Sequence, residues 1–117
     1  MAITVHAELD NVTVGATELS IISGTTTLST DTTDGVFQLY VDDQTLMTKT
    51  EEYAIRIYEK VEETGGAKRL LFKATLKGVQ SEIFCSPMLI LMHGWDMTLQ
   101  KIAGTDRAFD ANIRRVA

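Results

Sequence analysis

The stretch that decides the fold is EYAIRIYEKVEETGGAKRLLFKAT, residues 52–75. Its first half places Tyr53, Ile55 and Ile57 at every second position, which is the period of a β-strand with one buried face. A second alternating run follows the Thr-Gly-Gly sequence at 64–66, where glycine supplies the positive φ angles of a short hairpin loop. Glutamate and lysine also suit a helix, but two alternating runs around a glycine turn favour a β-hairpin.

The two faces of this hairpin carry different side chains. We predict a core face made of Tyr53, Ile55, Ile57, Leu70, Phe72 and Ala74. The opposite face carries Arg56, Tyr58, Lys60, Arg69, Leu71 and Lys73. This second face holds more aromatic and apolar side chains than a plain solvent-exposed surface needs. We therefore predict that it contacts another protein, and that serine at both Tyr58 and Leu71 weakens assembly without unfolding the monomer.

Short apolar segments in the rest of the chain predict further strands. The candidates are residues 2–6, 11–15, 18–22, 35–42, 88–93, 95–103 and 107–116. Segment 35–42 places Phe37, Leu39 and Val41 on its predicted core face, whereas 88–93 is apolar on both faces, as in a strand buried between two layers. Many short strands with turn signals between them predict an all-β, single-domain antiparallel β-sandwich over residues 1–117, jelly-roll or immunoglobulin-like.

The first third of the chain has a different composition. Residues 23–34 are rich in threonine and serine and hold few large apolar side chains, so they bury little surface on their own. We predict a long exposed loop or an extended arm there, with residues 1–33 rich in loops and residues 34–117 forming the core. Residues 43–50 predict a loop with a short turn that buries Leu46.

Length, charge and cysteine content narrow the class of protein. A chain of 117 residues fits one domain. The net charge of −5 argues against nucleic acid or an anionic membrane as the main partner, because phosphate neutralisation needs clustered cations. Cys85 is the single cysteine, which fits a reducing compartment. Without a basic and apolar leader or a bilayer-length apolar run, we expect a soluble protein made in a cytoplasm.

The residues that carry enzyme chemistry do not form a recognisable set. His6, His93 and Cys85 lack the paired spacing of metal ligands, so we predict no metal site and no cofactor. Cys85 lies in an apolar run, where a buried thiol behaves as a small hydrophobic side chain, and not as a nucleophile. With no catalytic residues to name, we expect a protein that is not an enzyme.

Acidic and aromatic residues leave two ligand classes open. Carboxylates bracket loops and could bind Ca²⁺, although solvated turn residues are the favoured interpretation; they are Asp31, Asp34, Asp42, Asp43, Asp96, Asp106 and Asp110. A carbohydrate-binding β-sandwich would use aromatic platforms, and the candidates are Trp95, Tyr40, Tyr53 and Tyr58. At the head of an alternating strand, however, Trp95 is expected to be a core anchor.

Residues 87–117, PMLILMHGWDMTLQKIAGTDRAFDANIRRVA, resemble the C-terminal part of small virion structural proteins of tailed bacteriophages. The sequences DGVFQ at 34–38 and YAIRIYEKV at 53–61 resemble these proteins too. The resemblance covers roughly residues 34–117 and implies a β-sandwich that cements or decorates the capsid. The resemblance implies the major capsid protein or other virion proteins as partners. We also expect a homo-oligomer on the virion, for example a trimer. A head–tail connector or tail protein is the alternative within the same particle.

Overall fold

The computed structural model describes residues 2–43 and 50–116, so the expected burial of Leu46 lies outside the described residues. The strands are β1 (Ile3–Val14), β2 (Leu19–Ser20), β3 (Gly35–Asp43), β4 (Glu52–Glu59), β5 (Arg69–Lys77), β6 (Phe84–Cys85), β7 (Leu89–Leu91), β8 (Trp95–Ala103) and β9 (Arg107–Val116). They form two antiparallel sheets, which confirms the predicted all-β sandwich. The described residues contain no helix that is long and apolar enough to cross a membrane.

The two sheets enclose one core. In the five-stranded sheet, β1, β9 and β3 lie side by side, and both β6 and β7 pair with the other edge of β3. The four-stranded sheet has the order β2-β8-β4-β5. Between the sheets lie large fully buried side chains from both, chiefly Trp95, Tyr53, Phe37 and Phe109. Their ring contacts, such as the 4.5 Å between the ring centroids of Phe37 and Trp95, join the sheets.

The predicted hairpin is β4 and β5, and one part of its predicted core face is wrong. Tyr53, Ile55 and Ile57 are fully buried, as the alternation predicts. Leu70 is 52% exposed, because the register shifts between Ile57 and Tyr58 and Leu70 then lies opposite Tyr58. The bulge adds a residue to β5 and reverses the side to which the side chains before it point. Simple alternation cannot anticipate this shift.

The N-terminal segment is one long strand, whereas the sequence predicts two short ones at 2–6 and 11–15. Register shifts between Val5 and Ala7 and between Leu9 and Val12 interrupt its pairing with β9. Within the second shift, Asn11 has a φ of 54°, a backbone angle that asparagine tolerates better than most residues. These bulges interrupt the alternation of apolar and polar residues, so the sequence predicts two short strands where the structure has one. The third candidate, 18–22, is reduced to the two-residue strand β2.

The expectation that 88–93 is buried on both faces is also wrong. Leu91 is fully buried, but Met88 and Ile90 are 68% and 76% exposed. Ile90 lies opposite Val36 on the side of the five-stranded sheet that faces away from the core. In the described part of the chain, nothing covers these side chains, so the apolar run alternates between core and surface.

Strand β8 is buried on both faces, and residues 21–34 help to cover it. Trp95 and Met97 point into the core, while Asp96 and Thr98, on the opposite face, are also fully buried. After β2 the chain turns away and returns to form a bridge between Asp31 and Trp95. The Thr-rich segment therefore connects the two sheets and pairs with the beginning of β8, although the side chains of residues 25–28 are exposed.

Candidate interaction surfaces

The outer face of the four-stranded sheet carries a hydrogen-bonded polar network. The Glu18 carboxylate accepts a hydrogen bond from the Tyr58 hydroxyl at 2.7 Å and another from the Thr98 hydroxyl. The Arg56 guanidinium lies 3.8 Å from Glu18 and donates to the Gln100 side chain at 2.6 Å. Two of the predicted interface residues, Arg56 and Tyr58, are thus bound to partners within the chain. Burial, reinforced by the Glu18 carboxylate, raises the pKa of Tyr58 to about 12.

Next to this network, the Asp96 carboxylate is buried among hydrogen-bond donors. It accepts from the Ser20 hydroxyl at 2.7 Å, the Ser29 amide at 2.9 Å and the Met97 amide at 2.9 Å. The Lys68 ammonium donates to the Ser29 carbonyl and supplies a positive charge nearby. Burial nevertheless raises the pKa of Asp96 above its usual value, because it penalises the ionised form more than these donors favour it.

The remaining predicted interface residues lie on β5 or just beyond β4. Lys60 is half-buried and its amide donates to the Gly94 carbonyl at 3.0 Å. Exposed side chains lie along β5, and among the described residues this strand pairs only with β4. We call this surface the basic edge, and its residues are Arg69, Leu70, Leu71, Lys73 and Lys77. Residues 64–81 contain four cations and no acid, in a chain with a net charge of −5.

The outer face of the five-stranded sheet is apolar at one end, and the sequence analysis did not predict it. The register places Val116 beside both Ile3 and Val36, and Val36 beside Ile90. Ile3, Val36 and Val116 also line a shallow depression of about 140 Å³ together with Met88. Its signal in the sequence was the apolar residues at the outward positions of β1, β3, β7 and β9.

The other end of the same face is acidic. A shallow groove of about 300 Å³ is lined there by Glu8, Asp10, Asp42 and Asp110. The Arg114 guanidinium lies over the Tyr40 ring, 4.0 Å from its centroid, between the apolar and acidic ends. Repulsion among like charges limits how closely another acidic surface can approach this end.

The residues considered for enzyme chemistry have structural contacts instead. His6 bonds to Asp31 at 2.7 Å and packs against the rings of Phe37 and Trp95, at 5.3 and 5.4 Å between centroids. Burial favours a higher pKa for Asp31, but the bonds from His6 and the Thr33 amide together hold the pKa below its usual value. Cys85 is exposed, so its expected burial is wrong: its position on β6 lies opposite Tyr40, on the outer face.

The acidic residues considered for Ca²⁺ lie mostly in separate parts of the fold, although Asp42 lies opposite Asp110 in the register of β3 and β9. Asp34 pairs with Arg115 at 3.5 Å, and Asp106 pairs with Lys101 at 2.6 Å. Asp110 accepts a hydrogen bond from the Asn11 amide at 2.8 Å. Among residues 2–43 and 50–116, no three His, Cys, Asp or Glu side chains are grouped to hold a metal ion.

The aromatic residues considered as carbohydrate platforms are mostly inside the protein. Trp95 and Tyr53 are fully buried; the Trp95 indole donates to the Thr33 carbonyl at 2.9 Å and the Tyr53 hydroxyl to the Thr105 carbonyl at 2.7 Å. Tyr40 carries Arg114 over its ring. Trp95 is therefore the core anchor that the sequence favoured.

The polar network includes Tyr58 but not Leu71, so we expect substitutions at these two residues of the predicted interface to change stability by different amounts. Tyr58→Phe removes the hydroxyl that binds Glu18, and we expect it to lower the free energy of unfolding by about 1 kcal/mol. Leu71→Ser changes a half-exposed side chain, and we expect a change within about 0.5 kcal/mol. Urea unfolding at neutral pH measures both. Equal losses for the two variants would contradict the network.

Because the pKa of Asp96 is raised in the folded protein, we expect the free energy of unfolding to depend on pH. Since its folded-state pKa is raised, the folded protein binds a proton more readily than the unfolded chain at pH values between the two pKa values. Its contribution to the free energy of unfolding is therefore largest below the usual pKa of 3.8 and falls as the pH rises through the folded-state pKa. Asp96→Asn removes this titration, so the stability of wild type minus that of the variant should fall with pH.

Urea unfolding of both proteins from about pH 3 to about pH 8 measures this difference, in which other titrating groups cancel. A difference that rises with pH would mean that the hydrogen bonds outweigh burial and lower the pKa of Asp96.

Comparisons with known proteins give little similarity. No protein-family model matches the sequence. A search of curated proteins finds no match. Among solved structures, the Eiger TNF from S. frugiperda is similar with a TM-score of 0.43 and 17% sequence identity, over 79% of this chain and 66% of that one. A TM-score of this size assigns neither a family nor a function.

Proposed function

We propose that the protein is a virion structural protein of a tailed bacteriophage that cements or decorates the capsid through protein–protein contacts. The observation that carries this proposal is the basic edge, a nine-residue strand with exposed leucines and cations along an open side. The resemblance of residues 34–117 to small virion proteins supports the same function. In this proposal the protein is not an enzyme, and it acts on the virion with the major capsid protein or another virion protein as its partner.

The basic edge offers a defined way to bind a neighbouring chain. Strand β5 leaves one row of backbone donors and acceptors without a strand partner in the described residues, and an extended segment of another protein can add to such a row. Edge lysines discourage indiscriminate pairing between sheets. Lys73 and Lys77 therefore favour a partner segment with carboxylates, while Leu70 and Leu71 supply apolar contact area.

A position at the head–tail connection would use the same edge, and copy number separates the two locations. Quantitative mass spectrometry of purified particles, from the phage that encodes this chain, gives its abundance relative to the major capsid protein. We expect comparable abundance, because a cement protein repeats over the whole shell. A number as small as one ring, or absence from the particle, would overturn the proposal.

Variants test whether the basic edge makes the contact. Lys73→Glu reverses a charge on the edge, and we expect it to weaken binding to particles assembled without this chain by about tenfold or more. Binding of the wild type should also weaken with added salt, since exposed charges are screened. Val79→Ser is the control, because Val79 is 60% exposed just beyond β5. Wild-type binding by Lys73→Glu would exclude the basic edge.

A further inference from the structure

The apolar end of the five-stranded sheet extends without interruption across four strands. One row, which follows the register of the paired strands, consists of Ile3 on β1, Val116 on β9, Val36 on β3 and Ile90 on β7. Val5 and Met88 continue the surface on β1 and just before β7. We call these six side chains the apolar face. Strands that meet water alternate apolar inward and polar outward, so an outward row of this kind points to a covered surface.

The exposure of these side chains is large and concentrated. Ile3, Val5, Met88 and Ile90 are 65%, 57%, 68% and 76% exposed. Isolated exposed apolar residues are normal on a protein surface, but a contiguous group marks an interaction site. The outer face of the four-stranded sheet differs, because its positions carry the bonded network of Glu18, Tyr58 and Thr98.

We infer that the apolar face binds the same face of a second copy of this chain in a two-fold, sheet-on-sheet dimer. This inference rests on the proposed virion function, for which the sequence analysis expects a homo-oligomer, and it names the contact surface of that oligomer. Outer faces of two sheets can pack in the way that the inner faces of a sandwich do, with their strands within about 30° of each other. Face-to-face pairing closes at two copies, so the inferred homo-oligomer is a dimer, whereas the sequence analysis gives a trimer as its example.

The distribution of charge on this sheet favours a second copy of the chain as the partner that covers the apolar face. The six side chains of the apolar face are uncharged, and the Arg114 guanidinium lies at the border of this face, beside Val5. The carboxylates Glu8, Asp10, Asp42 and Asp110 lie at the opposite end of the sheet. A two-fold arrangement that places apolar face on apolar face directs the two acidic ends away from each other. For two chains of net charge −5, this is the arrangement that keeps repulsion low while burying the apolar row.

The dimensions of the molecule allow such a contact. Its principal extents are 41 × 32 × 20 Å, and the shortest of them corresponds to the stacking of two sheets. A specific interface takes about 800 Å² from each partner, which is less than the broad side of this molecule offers. Pairing through the broad side would about double the shortest dimension and leave the other two nearly unchanged.

Light scattering and small-angle X-ray scattering of the purified chain test the inference in solution. We expect a mass twice the monomer's 12.9 kDa, with a concentration-dependent return to monomer on dilution. The scattering profile should fit a compact particle with sheets stacked face to face. An elongated dimer would indicate contact between strand edges and would overturn the inference.

Variants at both ends of the row locate the contact. Ile90→Asp on β7 and Ile3→Asp on β1 place a charge where the second copy would cover it, and we expect each to raise the dimer dissociation constant at least about tenfold. Val79→Asp is the matched control: another exposed apolar side chain, outside the five-stranded sheet. Thermal unfolding of each variant, made monomeric by dilution, verifies that the fold is retained.

Besides an elongated dimer, three outcomes would overturn the inference: a monomer at every concentration, a trimer, or a dimer that Ile90→Asp and Ile3→Asp leave as stable as Val79→Asp does. The outcomes for the proposed function are separate, because these measurements use the chain alone. A monomer that is abundant on particles would overturn the dimer only. A dimer that is absent from particles would overturn the virion function only.

Discussion

The position of residues 21–34 on the sheet depends on the buried carboxylate of Asp96. This carboxylate binds Ser20 at the end of β2 and Ser29 in the Thr-rich segment, and so it holds residues 21–34 against β8. Strand β8 in turn contributes Trp95 and Met97 to the centre of the core. Burial makes the ionised form costly, and the three donors around it limit that cost. Residues 21–34 bury little apolar surface of their own, and these hydrogen bonds fix where they lie on the sheet.

The two outer faces of the sandwich are unlike. On the four-stranded sheet, Asp96 and Glu18 satisfy polar groups from within the chain, and among the described residues β5 pairs with a strand on one side alone. On the five-stranded sheet, no described residue covers Ile3 or Ile90, and the apolar row is free for a second copy. A small protein with one open edge and one open face can bind two kinds of neighbour.

The sequence predicted those parts of the fold in which side chains alternate without interruption. Strand β4 with Tyr53, Ile55 and Ile57 is one example, and β3 with Phe37 is another. It failed where a bulge changes the alternation, as at Leu70, because a bulge is set by pairing with a neighbouring strand.

The surfaces were harder to predict than the core. The bond from Ser20 to Asp96 joins residues 76 positions apart, and no local pattern reports it. An apolar run also reads the same whether one or both of its faces are buried, which is why Ile90 was expected inside. Of the predicted interface, Arg69, Leu71 and Lys73 are exposed, while Arg56 and Tyr58 bind partners in their own sheet.

Hydrogen exchange at the Ser29 amide tests the central claim most directly, since Asp96 is the acceptor for that amide. In the wild type we predict slow exchange at Ser29 although it lies in an irregular segment, because exchange requires this bond to open. In Asp96→Ala, Ser29 should exchange at the rate of an unprotected loop while the Ile55 amide in β4 stays protected. Fast exchange of Ser29 in the wild type, or no change in the variant, would contradict the claim.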